Sequence, residues 1–442
     1  MRYSSATIFF LCLGCIIGWG AFVLPHTLFL SKIGLLNSLI GLSLGAILIG
    51  LVAKDYMFLL ARFPQVGGEF LFALRIFGRT HAFICGWFLS LAYLCIIPLN
   101  ATALPLLAHA FGLEPHIALY SVDSHLIYAE NIVISLVAVI IACVVNLYSI
   151  RYVFVLQKAL IILLVGSVYF FFLMMSFSEQ SLINLSGYID SQSLGIAGIL
   201  VVVALAPWLY VGFDCGVQII QDVHNNPRKI TLFTIGAIVA GFLLYVFVLL
   251  FTAYGVCLET LHSSDTTFWA SLESVRGHFG TFGGIVLALG VLGAIASGIN
   301  GFFITTTKVL YAMSLHEIFP AAMLTQNRFG IPYKIIGFVA VASCILPFFG
   351  RDGLLYVVDM SSVGIVVAFL YVSVIAFVVK RRESKRTSYL SMCNILISSV
   401  FLALLFLPFS PAALKPPSLI ALGIWCVCGI VFFGYAMRKD KT

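Results

Sequence analysis

Long apolar stretches separated by short charged punctuation dominate the chain. No charge falls between Arg2 and Lys32, and Ser5–Leu30 forms the first such stretch. Eleven more follow, near Leu36–Ala53, Thr80–Ala110, Asn131–Ile150, Tyr152–Phe177, Leu194–Gln221, Ile230–Val256, Phe279–Met313, Ile335–Phe349, Leu354–Val379, Tyr389–Pro408 and Ser418–Met437. A helix needs about 20 apolar residues to cross hydrocarbon, a length that all but the short ninth stretch approach. Without water, every backbone amide must bond inside its own segment, so these spans are expected to be helices. A membrane barrel would alternate apolar and polar positions in short strands, and no such alternation runs through the chain. The pattern predicts an all-α polytopic membrane protein with twelve transmembrane helices.

Composition agrees. Of 442 residues, 62% are hydrophobic and only 9% charged, against roughly 25% charged in soluble domains. A cytosolic enzyme and a disordered scaffold are excluded. The net charge of +7 follows from topology rather than from an acidic partner. With the N-terminus inside, one face holds Arg2, Lys54, Arg62, Arg75, Arg79, Arg151, Lys158, Arg228, Lys229, Lys308, Arg328, Lys334, Lys380, Arg381, Arg382, Lys385, Arg386, Arg438, Lys439 and Lys441. The other face holds Lys32, Arg276, Arg351 and Lys415, which completes the 24 Lys and Arg of the chain. This asymmetry is the positive-inside signature of an integral membrane protein, expected in a cell membrane with both termini cytoplasmic. No nucleic acid is implied. The 11 cysteines lie mostly inside the apolar stretches, and their one CxxC spacing, Cys12 with Cys15, falls within the first stretch with no histidine-rich neighbourhood, so neither a metal site nor a disulfide frame is expected, and they read as small apolar packing residues. The first stretch is too long for a secretory signal.

Two spans carry residues that an uninterrupted membrane helix avoids. The first contains Gly14-Cys15-Ile16-Ile17-Gly18-Trp19-Gly20 and ends at Pro25; the sixth contains Ala206-Pro207-Trp208-Leu209-Tyr210-Val211-Gly212-Phe213-Asp214. Glycine lifts the steric bar to non-helical backbone, and proline removes a donor. The interruptions begin at similar depths, five spans apart, in helices of opposite orientation. Paired interruptions of this kind point to an inverted-repeat transporter, whose freed amides and carbonyls bind the substrate. Taken singly, Gly14 and Gly18 are equally compatible with close helix packing.

Five fragments, in order, resemble the amino acid–polyamine–organocation (APC) superfamily, which shares the fold of the sodium-coupled leucine transporter. They are Gly14 through Pro25; Pro64-Gln65-Val66-Gly67-Gly68-Glu69-Phe70 with Phe77-Gly78; Asn146 with Gln157; Trp208 through Asp214 followed by Asp222 and Asn226-Pro227-Arg228; and Leu310-Tyr311-Ala312-Met313 through Phe319-Pro320. The resemblance implies a 5+5 inverted repeat with helices 1 and 6 broken. The core would be residues 1–380, with repeats of about 1–178 and 190–380, and residues 381–442 would add two accessory helices and a short tail. It further implies that amides of Ile17, Gly18, Trp19 and Gly20 hold a substrate carboxylate. Carbonyls of Trp208, Leu209 and Val211, beside Gly212, would take the amino group, with the Trp208 ring closing over it. Trp19 departs from the small residue usual there. Lys158 sits nearer the helix end than the lysine of proton-linked members, so it reads as a snorkelling cation.

A charge inside a membrane usually has a function or a partner. Asp214, beside the second break, reads either as a proton-coupling group or as a structural carboxylate bonded to unwound amides. Tyr93 and Asn100 on the third span, and Ser297, Asn300 and Phe302 on the eighth, are candidate pocket residues. Glu69 and Asp222 could pair with Arg62, Arg75 or Arg228 as an inner latch, while Asp359 reads as an outer gate or a helix-end partner, and His26 as an interfacial histidine. No sodium site or cofactor is indicated, and GxxxxGK[ST] is absent. The reading is a secondary transporter, symporter or exchanger, of an amino acid or related amine, with protons and the bilayer as partners. The alternative is a non-transporting nutrient receptor using the same site. Gly20→Leu is expected to abolish transport without impairing membrane insertion; the test compares uptake with the amount of protein in the membrane fraction.

Overall fold

The computed structural model describes residues 3–122, 125–148, 150–190, 194–223, 226–263, 269–384 and 387–439. Arg2, Lys385, Arg386 and Lys441, four of the cations assigned to the inner face, lie outside the described residues. The first span breaks into α1 (Ala6–Ile16) and α2 (Gly20–Leu24), which continues as a π-helix over Pro25–Ile33; the two halves are bent by 46°. Next come α3 (Leu35–Arg62), the short α4 (Gly68–Phe77), and a third span made of α5 (Arg79–Ala101) and α6 (Ala103–His109). An antiparallel hairpin, β1 (Ala118–Val122) with β2 (His125–Tyr128), leads into α7 (Ala129–Tyr148) and α8 (Ile150–Met175). Helix α9 (Glu179–Asp190) precedes the sixth span.

That sixth span is in pieces: α10 (Ile196–Ala204), α11 (Ala206–Leu209), α12 (Cys215–Gln218) and a 3-10 turn at Ile220–Asp222. Then follow α13 (Pro227–Gly255), α14 (Leu258–Ser263), α15 (Ala270–Leu315), α16 (Tyr333–Ile345) with a 3-10 turn to Phe349, α17 (Gly350–Ser384), α18 (Tyr389–Phe406) and α19 (Pro416–Lys439). Gly280, at φ 61° and ψ −156°, interrupts α15. The membrane-crossing part of α15 therefore starts next to Phe279, where the apolar pattern places it.

Among the described residues, nine helices are long and apolar enough to cross a bilayer, or ten if the bent pair counts as one span. The two expected spans that fall short are the sixth, because it is broken, and the ninth, because α16 is only 13 residues long. The hairpin, α4, α9 and α14 are too short, at 12 residues or fewer each, to register as spans in an apolar-stretch pattern.

Burial sorts the helices into centre and rim. The most apolar window of the third span is 78% buried and those of α15 and α17 61%, whereas α19 is only 17% buried. The last helix presents its apolar faces outward, as a lipid-facing helix does. The halves α1 and α12 lie in the middle, packed among α8, α13 and α15. Close approach of backbones shapes this centre: a Cβ on Gly364 of α17 would stand 2.3 Å from the Phe88 carbonyl oxygen of α5.

Polar bonds tie the rim to the centre. Asp55 of α3 is completely buried. Its Oδ1 accepts from Lys380 Nζ at 2.6 Å and from the Ser391 hydroxyl at 2.8 Å, and its Oδ2 accepts from Asn394 Nδ2 at 2.8 Å. One carboxylate thus joins α3, α17 and α18. Removing one partner of a buried ion pair strands the other, at a cost of about 3 kcal/mol. Asp55→Ala should accordingly lower the thermal unfolding midpoint in detergent well below that of Glu383→Ala. The latter breaks only the exposed pair with Arg62.

Candidate functional site

The two breaks face each other. At the first, Ile17 is extended (φ −102°, ψ 110°) and the chain re-enters a helix at Gly20. The amides of Ala21 and Phe22 bond back to the carbonyls of Gly18 and Trp19. The N–H groups of Gly18, Trp19 and Gly20 find no acceptor among the described residues. Three consecutive free donors at the positive end of a helix are suited to an anionic group. At the second break, Gly212 has φ +111°, and a Cβ there would come within 2.3 Å of the Cys15 Cβ. Both the left-handed turn and the contact between the two breaks require glycine.

Side chains bridge the breaks. The Tyr245 hydroxyl on α13 lies 3.2 Å from the Leu209 carbonyl oxygen and 3.5 Å from that of Ile16. With one proton, it donates to one of these carbonyls at a time. The Trp208 ring reaches over Gly20, where a Cβ would be 3.0 Å from its Cη2. Asn100 lies between Gly18 and Gly298 and donates to the Ile96 carbonyl at 3.1 Å. Trp19 packs against Trp269 with ring centroids 4.8 Å apart, and Trp269 Nε1 donates to the Phe22 carbonyl at 3.1 Å.

Between these groups lies a cavity of about 750 Å³. Gly18, Trp19, Gly20, Asn100, Trp208 and Val211 line it, and His26, His109, Glu114 and Arg351 extend it toward the face that carries the hairpin. Ile17, Leu209 and Gly212 belong to the breaks but do not line it. The remaining expected pocket residues are elsewhere. Asn300 Nδ2 donates to Gln157 Oε1 at 2.9 Å and its Oδ1 accepts from Asn146 at 3.1 Å, an internal amide network joining α7, α8 and α15. Phe302 packs on Tyr93, and the Tyr93 hydroxyl donates to Asp214 Oδ2 at 2.6 Å. The other Asp214 oxygen accepts from the Gly212 amide at 3.0 Å. Asp214 is wholly buried and does not line the cavity. This is the geometry of a carboxylate that holds an unwound turn.

The opposite side is sealed. Lys308 pairs with Asp222 at 2.6 Å, and the Tyr3 amide bonds to the Asp222 carbonyl at 2.7 Å. Cys12 Sγ donates to the Phe213 carbonyl at 3.2 Å, and Gln218 Nε2 donates to Glu69 at 2.6 Å. The partners differ from the arginines expected for Glu69 and Asp222, because Glu69 is buried and Arg62 is engaged by Glu383. Asp359 meets Ser418 at 3.3 Å rather than the cavity. Lys158 stands over the Phe10 ring, 5.5 Å from its centroid.

Tyr245 and Trp269 are the residues that sequence reasoning missed. A hydroxyl in the middle of the seventh span was an available signal for Tyr245; Trp269, in a loop before the eighth, gave none.

A polytopic membrane protein whose two interrupted helices enclose a central cavity, open to one face and sealed from the other, has the design of a membrane permease. Residues 3–433 match the amino acid permease family, and the chain belongs to it. The chain is 22% identical over 431 residues to the branched-chain amino acid permease BcaP of Lactococcus lactis subsp. cremoris (strain MG1363), covering 90% of this chain and 86% of that one. It is 23% identical over 465 residues to the methylthioribose transporter of Bacillus subtilis (strain 168), covering 99% and 94%. The protein is therefore a transporter rather than an enzyme.

Tyr245→Phe should insert normally yet bind substrate roughly tenfold more weakly, equivalent to one hydrogen bond of about 1.4 kcal/mol. Titration of intrinsic tryptophan fluorescence checks this, since three of the five tryptophans line the cavity.

Proposed function

We propose that the protein is a secondary active transporter, symporter or exchanger, of an amino acid, alternating access around the site between its two broken helices. The observation that carries the proposal is the set of three unbonded amides at Gly18, Trp19 and Gly20, facing the Trp208–Val211 turn across one cavity. The amides would bind the carboxylate. The amino group would approach the carbonyls of Trp208, Leu209 and Val211 and donate to the Tyr245 oxygen, whose own proton turns to the Ile16 carbonyl, under the face of Trp208. Asn100 would complete the pocket.

The cavity wall narrows the substrate. Cys15, Ile16, Ile96, Leu99, Val211 and Leu355, with Trp19, Trp208 and Trp269, offer an apolar and aromatic surface. The Asp214 carboxylate is turned away from that wall, and Glu114 is at the mouth. Such a wall favours a branched, thioether or aromatic side chain over a cationic one. The names of the two relatives, one a branched-chain amino acid permease and one a methylthioribose transporter, agree with an apolar or thioether-bearing ligand.

In this reading twelve helices cross the cell membrane with both termini cytoplasmic. The sixth and ninth cross although each is too interrupted or short to pass alone. Residues 1–380 form two inverted repeats, about 1–178 and 190–380, and residues 381–442 contribute the two accessory helices. The cavity would then open outward and the seal at Asp222, Lys308, Glu69 and Gln218 would face the cytoplasm.

The test is counterflow in proteoliposomes holding unlabelled compound, with labelled leucine, isoleucine, valine, methionine, phenylalanine, lysine and methylthioribose outside. Leucine, methionine or phenylalanine should enter transiently above equilibrium, and lysine should not. Saturable binding without counterflow would contradict the transport reading and favour a receptor.

A further inference from the structure

The inner seal contains a carboxyl that the binding site does not use. Glu69, in the first turn of α4, is wholly buried. Its Oε2 accepts from Gln218 Nε2 at 2.6 Å, which ties α4 to α12, the inner piece of the broken sixth span. Among the described residues, its Oε1 has no hydrogen-bond partner, and neither do the buried Gln218 Oε1 and the Tyr56 hydroxyl. The Tyr56 hydroxyl faces this carboxyl from α3.

Among the described residues, no cation pairs with this carboxyl. Around Glu69 stand Tyr56 from α3, Cys85 and Tyr93 from α5, Gln218 from α12, and the Asp214 carboxylate from the turn before it. Next to α4, α15 ends at His316, which stacks on Phe70, and α17 presents Tyr371, which bonds His81. Nearby cations are engaged elsewhere: Lys308 with Asp222, Lys380 with Asp55, Arg62 with Glu383, and Arg75 with Gln65. A carboxylate removed from water without a cation is strongly penalised. A proton on Oε1 cancels that charge. It also turns an unpartnered acceptor into a donor toward the Tyr56 oxygen.

We propose that Glu69 is a proton-binding site of the inner seal, holding a proton while α12 packs on α4 and releasing it to water when α12 withdraws. The proposal rests on the transport reading, and it deepens that reading by naming the coupling ion and its site. Burial, reinforced by the Asp214 charge, pushes the Glu69 carboxyl well above the ordinary carboxylate range while the seal is shut. The closed form therefore binds the proton more tightly than the open one. Between the ordinary and the raised values, a fall in pH favours the sealed form; above the raised value both forms are ionised and that preference is lost. A proton that reaches Glu69 from the outer side, past Asp214 and Tyr93, while the seal is shut leaves to the inner water as α12 withdraws, so each inward opening delivers one proton with the substrate. Asp214, with both oxygens already bonded, keeps its role in shaping the turn.

The experiment uses the full chain in proteoliposomes and the compound of the amino acid panel with the largest counterflow. Counterflow moves no net proton, so Glu69→Gln should retain it. Uptake driven by an inwardly directed proton gradient should fall about tenfold or more, and its pH dependence should flatten. Retention of gradient-driven uptake and of the parental pH profile by Glu69→Gln would overturn the proposal, as would parental uptake driven by sodium and indifferent to protons. If Glu69→Gln does not fold, Tyr56→Phe, which removes only the facing hydroxyl, should shift the pH midpoint of uptake; an unmoved midpoint counts against the site. If no compound shows counterflow, the transport reading fails by itself. Infrared spectra of the purified protein still decide the proton site: a protonated-carboxyl band present at neutral pH should be lost in Glu69→Gln, and an unchanged band refutes it.

Discussion

Lipid leaves a backbone amide no partner but the protein, and the whole architecture turns on where that demand is relaxed. Among the described residues, nine helices long and apolar enough to cross a bilayer satisfy it internally. Two spans do not, and their exposed peptide groups are covered by specific neighbours. Tyr245 serves the carbonyls of Ile16 and Leu209, Asp214 takes the Gly212 amide, and Cys12 serves the Phe213 carbonyl. Among the described residues, the amides of Gly18, Trp19 and Gly20 at the first break have no acceptor, and these three residues line the cavity. Amides that face a cavity without a protein acceptor are free to meet water or a ligand there.

The same interruptions make movement inexpensive. An intact helix transmits a bend along its length, whereas α1 and α2, or α11 and α12, meet at joints where no ladder of bonds must break. On the sealed side, α12 is held by few polar contacts: Glu69 with Gln218, Lys308 with Asp222, and the short bridge from Tyr3. Such contacts can be exchanged for water. The surrounding α3, α5, α15 and α17 are clamped by close backbone approach and by the Asp55 cluster, a firmer set of contacts than those that hold α12.

Much of this was legible in the residues. Apolar length alone marks most of the spans, and glycine and proline at Gly18, Gly20, Pro207 and Gly212 mark both breaks, because few other residues tolerate such backbone. Five of the residues singled out at the breaks, Gly18, Trp19, Gly20, Trp208 and Val211, line the cavity, because the interruptions themselves fix where those residues lie. The side chains of the third and eighth spans were not readable. Asn100 faces the cavity while Asn300 turns into an amide network with Asn146 and Gln157. Helical rotation decides between these outcomes, and in a span that is apolar all round no polar face fixes it. Asp214 shows the same limit: the chain does not reveal that Tyr93 and the Gly212 amide are its partners, because both contacts depend on how the broken span folds. Trp269 and the seal around Glu69 depend on contacts between distant segments, which no local pattern encodes.

The central claim is that the two breaks together grip one small zwitterion. The most direct measurement is the position of leucine in an electron cryomicroscopy map of the protein in lipid nanodiscs. The account requires leucine density with its carboxylate against the amides of Gly18, Trp19 and Gly20 and its side chain toward Trp208 and Val211. Leucine resolved at another place in the protein, or a first span that winds unbroken past Trp19, would contradict it.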